Sequence, residues 1–107
     1  VGSGKIQYQG KWYEKSLIIG IDKIIYPWKH PGVADLEVSD FESAFEGNTE
    51  VILLGTGRKQ VFPDTHLVTK ILKRGVGIEV MDSKSACRTF NLLVSEYRRP
   101  LAMLMLE

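Results

Sequence analysis

The chain has 107 residues, 44% hydrophobic and 25% charged, with a formal net charge of +1 at neutral pH. That balance excludes a disordered chain, and the length suits one compact domain over residues 1–107. The near-zero charge excludes a general affinity for nucleic acid or anionic lipid.

Val1 to Gly4 lack the charged and apolar regions of a signal peptide. Ile6 and Tyr8 alternate with Gln7 and Gln9, the period of a half-buried strand. Gln9-Gly10 turns, and Lys11 to Ile19 reads as a second strand. A turn over Gly20 to Lys23 leads to Ile24-Ile25-Tyr26, closed by Pro27. Trp28 to Asp35 reads as a loop. Ser39 stands three residues before Glu42, the spacing of a capping box, with Val38, Phe41 and Phe45 as a short apolar stripe.

Val51 to Leu54 is a compact apolar run ended by Gly55, the pattern of a buried strand. Pro63-Asp64 opens a helix whose Leu67, Val68, Ile71 and Leu72 share one face, and Gly75 suits its C-terminal cap. Ile78, Val80 and Met81 mark another strand. Asp82-Ser83 caps the last helix, whose core stripe is Ala86, Phe90, Leu93, Val94 and Tyr97. Pro100 precedes a final strand, Leu101 to Leu106, an apolar run too short to span a bilayer. Strand, helix, strand, helix, strand with short links predicts parallel crossovers and a sheet buried on both faces. The N-terminal antiparallel β segment makes that sheet mixed or adds a second layer, so the class is α/β.

Open α/β sheets place ligands at the carboxyl ends of their strands. Two such ends can be located: Gly55-Thr56-Gly57-Arg58 and Met81-Asp82-Ser83. The two glycines permit close backbone approach, and Arg58 adds charge for an anion. The run is neither a phosphate-binding loop nor a dinucleotide fingerprint, and equally reads as a plain turn.

Cys87 is the sole cysteine, which rules out an intrachain disulfide and favours a reducing, cytoplasmic setting. It falls early in the last helix, where partial positive charge lowers a thiol pKa, with Arg88 next to it and Asn91 one turn on. It sits at the edge of the core stripe, so it reads either as a small packed hydrophobe or as a thiolate. The ligand-binding candidates are therefore Gly55, Thr56, Gly57, Arg58, Asp82, Ser83, Cys87, Arg88 and Asn91. No catalytic set emerges. His30 and His66 stand at no recognised spacing from Cys87 and read as surface residues, so neither a metal site nor a cofactor is expected.

Leu92 projects roughly 160 to 210° away from the middle of its helix's core stripe. Together with Trp12, Tyr26 and Trp28, which short strands need not bury, it is the candidate partner surface. Charge is divided as well. Asp35 to Glu50 holds six acids and no base, whereas Arg58 to Arg74 holds five bases and one acid. Such a division reads as two solvated faces or as a dipolar surface that orients a protein partner. A homo-oligomer stays open.

Three segments resemble one family in order and spacing. They are Val51-Ile52-Leu53-Leu54-Gly55-Thr56-Gly57-Arg58, then Gly75-Val76-Gly77-Ile78-Glu79-Val80-Met81-Asp82-Ser83, then Ala86-Cys87-Arg88-Thr89-Phe90-Asn91-Leu92-Leu93. The family is a group of small α/β domains of unknown activity that includes the mitochondrial respiratory complex I assembly factor 3 and bacterial and archaeal relatives. The resemblance is strongest from Val51 to Leu104 and is closest to the bacterial versions. It implies a three-layer fold around a mixed sheet and a role in binding protein partners. It supplies no catalytic residues. An assembly role for this chain is thus an expectation from kinship, since fold alone does not fix function.

Overall fold

The computed structural model describes residues 4–106. These form β1 (Ile6–Tyr8), β2 (Lys11–Tyr13), β3 (Leu17–Ile19), β4 (Ile24–Ile25), α1 (Glu42–Phe45), β5 (Val51–Gly55), α2 (Thr65–Lys73), β6 (Gly77–Met81), α3 (Ser83–Ser95) and β7 (Pro100–Leu104). Two 3-10 turns, Val33–Asp35 and Val38–Phe41, precede α1.

The main sheet has five strands in the order β4-β3-β7-β5-β6. Its β5 runs parallel to both β6 and β7, while β3 is antiparallel to β4 and β7. The expected mixed sheet is therefore present. From β5 the chain steps outward to β6, then returns across β5 to β7. Crossovers of one hand in opposite directions put α2 and α3 on opposite faces. Alternation along β5 and β7 serves both. Ile52, Leu54, Leu101 and Met103 face Phe41 and Ile71 beneath α2 and the 3-10 turns. Leu53, Ala102 and Leu104 face Phe90 and Ala86 beneath α3. The β1–β2 hairpin joins that second layer through Ile6 and Tyr13.

Several expectations needed correction. Lys11 to Ile19 is not one strand: Lys11–Tyr13 pairs with β1, whereas Leu17–Ile19 pairs with β7 and β4. The break at Ser16 frees its hydroxyl to accept from Leu106 N at 2.8 Å. Trp28, expected at an exposed surface, is 8% exposed. Its N–H donates to Ser16 C=O, and its ring lies 4.7 Å from that of His30. The capping box is formed by Glu37 and Asp40, not Ser39 and Glu42, because the chain enters α1 through a 3-10 turn. The stripe of α3 ends at Leu93: the helix closes at Ser95, Arg98 N bonds Leu93 C=O, and Tyr97 takes a left-handed φ of 62° that turns it into solvent. On α2, Leu67 and Ile71 are buried while Leu72 is not. Asp64 and Asp82 do cap their helices, and Gly75, with φ 87°, ends α2 as its position predicted.

Candidate functional site

The carboxyl ends of β5, β6 and the far end of β7 meet the start of α3. Gly57 N–H donates to Ser83 Oγ at 2.9 Å, and Ser83 Oγ donates to Met105 C=O at 2.7 Å. Met105 N–H returns to Gly55 C=O, and Ser83 N–H to Gly57 C=O. Gly55 is required by close approach, since a Cβ there would stand 2.7 Å from Ser83 Cα. Thr56 Oγ1 donates to Lys59 C=O and accepts from Val61 N–H at 2.9 Å. The loop singled out for ligand contact thus commits most of its polar groups to the fold.

Beside this knot lies a cleft of about 350 Å³, floored by Ile6, Met105 and Leu106 and rimmed by Lys5, Arg58, Asp82 and Lys84. A second groove of about 240 Å³ shares Lys5, Ile6 and Lys84 and continues along α3 past Cys87, Arg88 and Asn91, with Trp12 on its hairpin side. The structure brings Gly57, Arg58, Asp82 and Ser83 to the first opening and Cys87, Arg88 and Asn91 to the second. Gly55 and Thr56 lie beneath, outside both linings. Lys5 and Lys84 were not singled out from the sequence. Lys84 stands at the start of α3 and was open to notice; nothing local to Lys5 says that β1 will carry it there.

The chemistry available is electrostatic. Four cations, Lys5, Arg58, Lys84 and Arg88, face one carboxylate along the two openings. The backbone hydrogen bond from Ser85 N–H, then the one from its hydroxyl, hold the Asp82 carboxyl below its usual range. Most amides at the start of α3 are taken within the chain: Ser83 N by Gly57, Ser85 N by the Asp82 side chain, Ala86 N by Asp82 C=O. An anion would be held by side-chain cations rather than by helix amides.

Nucleophilic chemistry finds no support in the geometry. Cys87 is 9% exposed, and burial pushes its thiol pKa up against the opposing pull of Arg88. A helix start does not make it a thiolate here; desolvation outweighs the charge. His66 sits on α2, across the sheet. His30, expected at the surface, is half-buried: Gly32 N–H donates to its Nδ1 at 3.1 Å, so Nε2 carries the proton toward Ser16 Oγ at 2.9 Å. Burial holds its pKa below 6.5, although Asp40 pulls the other way. Among the described residues no cluster of three or more His, Cys, Asp or Glu is placed to hold a metal ion.

Residues 1–105 match the family described as protein of unknown function (DUF498/DUF598). The chain belongs to that family. Its relatives include a Francisella tularensis "13 kDa major membrane protein", 34% identical over 80% of this chain and 71% of that protein. Another is a zebrafish (Danio rerio) NADH dehydrogenase [ubiquinone] 1 alpha subcomplex assembly factor 3, 34% identical over 75% of this chain. The match spans 47%, about half, of that assembly factor's length. A crystal structure of a Bordetella parapertussis protein superposes with a TM-score of 0.88 at 31% identity, covering 99% of this chain and 91% of the other. The family resemblance seen in the sequence is thus borne out, and so is the fold class. Among the described residues, no helix is long and apolar enough to cross a membrane.

Proposed function

We propose that this chain acts without catalysis, as a protein-interaction domain that helps assemble or stabilise a membrane-associated complex. The observation that carries the reading is the 34% identity with the zebrafish assembly factor over three quarters of this chain. The site chemistry is compatible with it: the one thiol is buried and its pKa raised, and His30 is committed to Ser16 and Gly32. Residues 1–107 are taken to work as one unit. Affinity capture of the tagged chain from gently solubilised source cells, with quantitative mass spectrometry, tests the reading. Stoichiometric enrichment of the subunits of one membrane complex is the expected result; a preparation containing this chain alone would defeat it.

The cationic cleft supports a second reading, a small anion bound between Lys5, Arg58 and Lys84 above the apolar floor of Ile6, Met105 and Leu106. Titration with inorganic phosphate and with a short-chain carboxylate, followed by the amide shifts of Gly57 and Lys84, tests it. Saturable shifts confined to the cleft would favour this reading, and their absence at millimolar ligand would remove it.

A further inference from the structure

Gly77-Ile78-Glu79-Val80-Met81 forms the last strand of the main sheet, with no strand beyond it among the described residues. Alternate residues of a paired strand turn their backbone groups to the same neighbour. Gly77 N–H donates to Glu50 C=O at 3.0 Å, and Met81 C=O accepts from Thr56 N–H at 2.9 Å. Residues 77, 79 and 81 therefore face β5, and Ile78 and Val80 face outward. Val80 C=O accepts from Gln60 Nε2 at 2.9 Å. The outward N–H and C=O of Ile78 and the N–H of Val80 find no protein partner among the described residues.

The opposite edge of the sheet differs. There β4 has two residues and Pro27 follows closely, a blunt edge that offers little to pair with. The β6 edge has five residues, no proline and no lysine. It is also flanked by apolar side chains that the core leaves unused. On α2 the side bearing His66 and Lys70 borders the 3-10 turn at Val38–Ser39, so Leu72, on the other flank, lies on the β6 side and is 52% exposed. On α3, Thr89 reaches Met81 Sδ at 3.6 Å, which marks that helix's β6 side, while Leu92 points away from the sheet and takes no part in this edge. Phe62, two residues after Gln60, is 69% exposed.

We propose that the β6 edge takes up an extended segment of a partner protein as a sixth strand, a lysine or arginine of that segment facing Glu79. The proposal rests on the interaction reading above and names the surface and the partner's chemistry. Unpaired amides supply main-chain hydrogen bonds, and Leu72 and Phe62 supply flanking apolar contacts. Glu79 supplies the charge selection. It is exposed, central in the strand and in no ion pair among the described residues. In a symmetric antiparallel pairing of two copies, with Ile78 opposite Val80, Glu79 would face a second Glu79. Like charges directly opposite are destabilising, whereas a cation there is favourable. That register is disfavoured for a second copy, and a segment with a cation opposite Glu79 is the favoured occupant.

The test uses the full chain and a capped five-residue peptide alternating threonine and valine about a central lysine, with a second peptide carrying glutamate at the centre. The lysine peptide is expected to shift the Ile78 and Val80 amides in NMR spectra and slow their hydrogen exchange. It should bind about fivefold more tightly than the glutamate peptide. Glu79→Lys should reverse that preference. Ile78→Pro, which removes an outward N–H and spares the ladder to β5, should abolish binding. Equal binding of both peptides, shifts centred on β4 or on the cationic cleft, or self-association through Ile78 and Val80 would overturn the proposal. The wider reading is separable. If both variants still capture the same native partner, the edge is not its docking site but the interaction function stands. If the peptide binds as expected and no native partner is found, the edge stands and the assembly role falls.

Discussion

Two neighbouring regions at one end of the sheet put similar-looking residues to opposite uses. In the knot of Gly55, Gly57, Ser83 and Met105, nearly every polar group is spent within the chain. On the rim, at the next residue along the chain from Gly57 and from Ser83, Arg58 and Lys84 are exposed and in no ion pair among the described residues. Glycine and serine beside a strand end look like ligand chemistry in a sequence. Here they are how β5, β7 and α3 are brought within contact distance, and the charged residues next to them are what remains for a partner.

The largest expected effect falls on the knot. Gly55→Ala would drive a Cβ to 2.7 Å from the Ser83 backbone, which cannot move without shifting α3 off the sheet. A loss of about 3 kcal/mol is expected, at the upper end of overpacking. Ser83→Ala follows. It removes a buried hydroxyl that serves one donor and one acceptor, leaving Gly57 N–H and Met105 C=O without a partner, for a loss of about 2 kcal/mol. Urea denaturation of both variants checks the order. If either stays within experimental error of the parent, the knot is not what holds this end together.

A second serine stitches the adjacent residue, and here pH sharpens the contrast. Ser16 Oγ holds Leu106 and meets His30, whose Nδ1 accepts from Gly32 N–H. Protonating His30 would replace that acceptor with a donor. Its folded pKa lies below the unfolded value of 6.5, so the unfolded chain binds the proton first. Stability contributed by neutral His30 is then present above about pH 6.5 and declines as the pH falls through that value toward the folded pKa. The knot has no titratable member and should not respond. Melting temperatures between pH 8 and pH 5 should fall in the parent and fall less in His30→Gln; equal slopes would place the acid sensitivity elsewhere.

The apolar run of Val51 to Leu54, the caps at Asp64 and Asp82 and the Gly75 terminator are local signals, and they made the β5-to-β7 half legible in the sequence. What failed was decided by distant pairing. Lys11 to Ile19 has one apolar pattern, yet its halves join different sheets, a choice made by β7 some ninety residues on. Trp28 looked free because its own neighbours are loop residues; it is covered by the core of Ile18, Phe41 and Met105. Cys87 carried a true local signal, the helix start, that burial overrides. Of the candidate site, the residues following β5 and β6 were visible in order. Lys5 was not, because only the folded hairpin sets it opposite α3.

The smallest effect has the most informative sign. Lys84 is the second residue of α3, where a cation opposes the helix dipole. If the rim existed only to support the fold, its removal should cost stability. On the electrostatic account Lys84→Ala should instead raise stability by about 0.3 kcal/mol, while Arg58→Ala, away from any helix start, should leave it within about 0.5 kcal/mol of the parent. A slight rise for Lys84→Ala, seen as a higher melting temperature at low salt that shrinks as salt is added, would mean the rim is held against its own local energetics, as a binding surface is. A fall would mean that the lysine stem packs against Ile6 and that the rim, like the knot, belongs to the architecture.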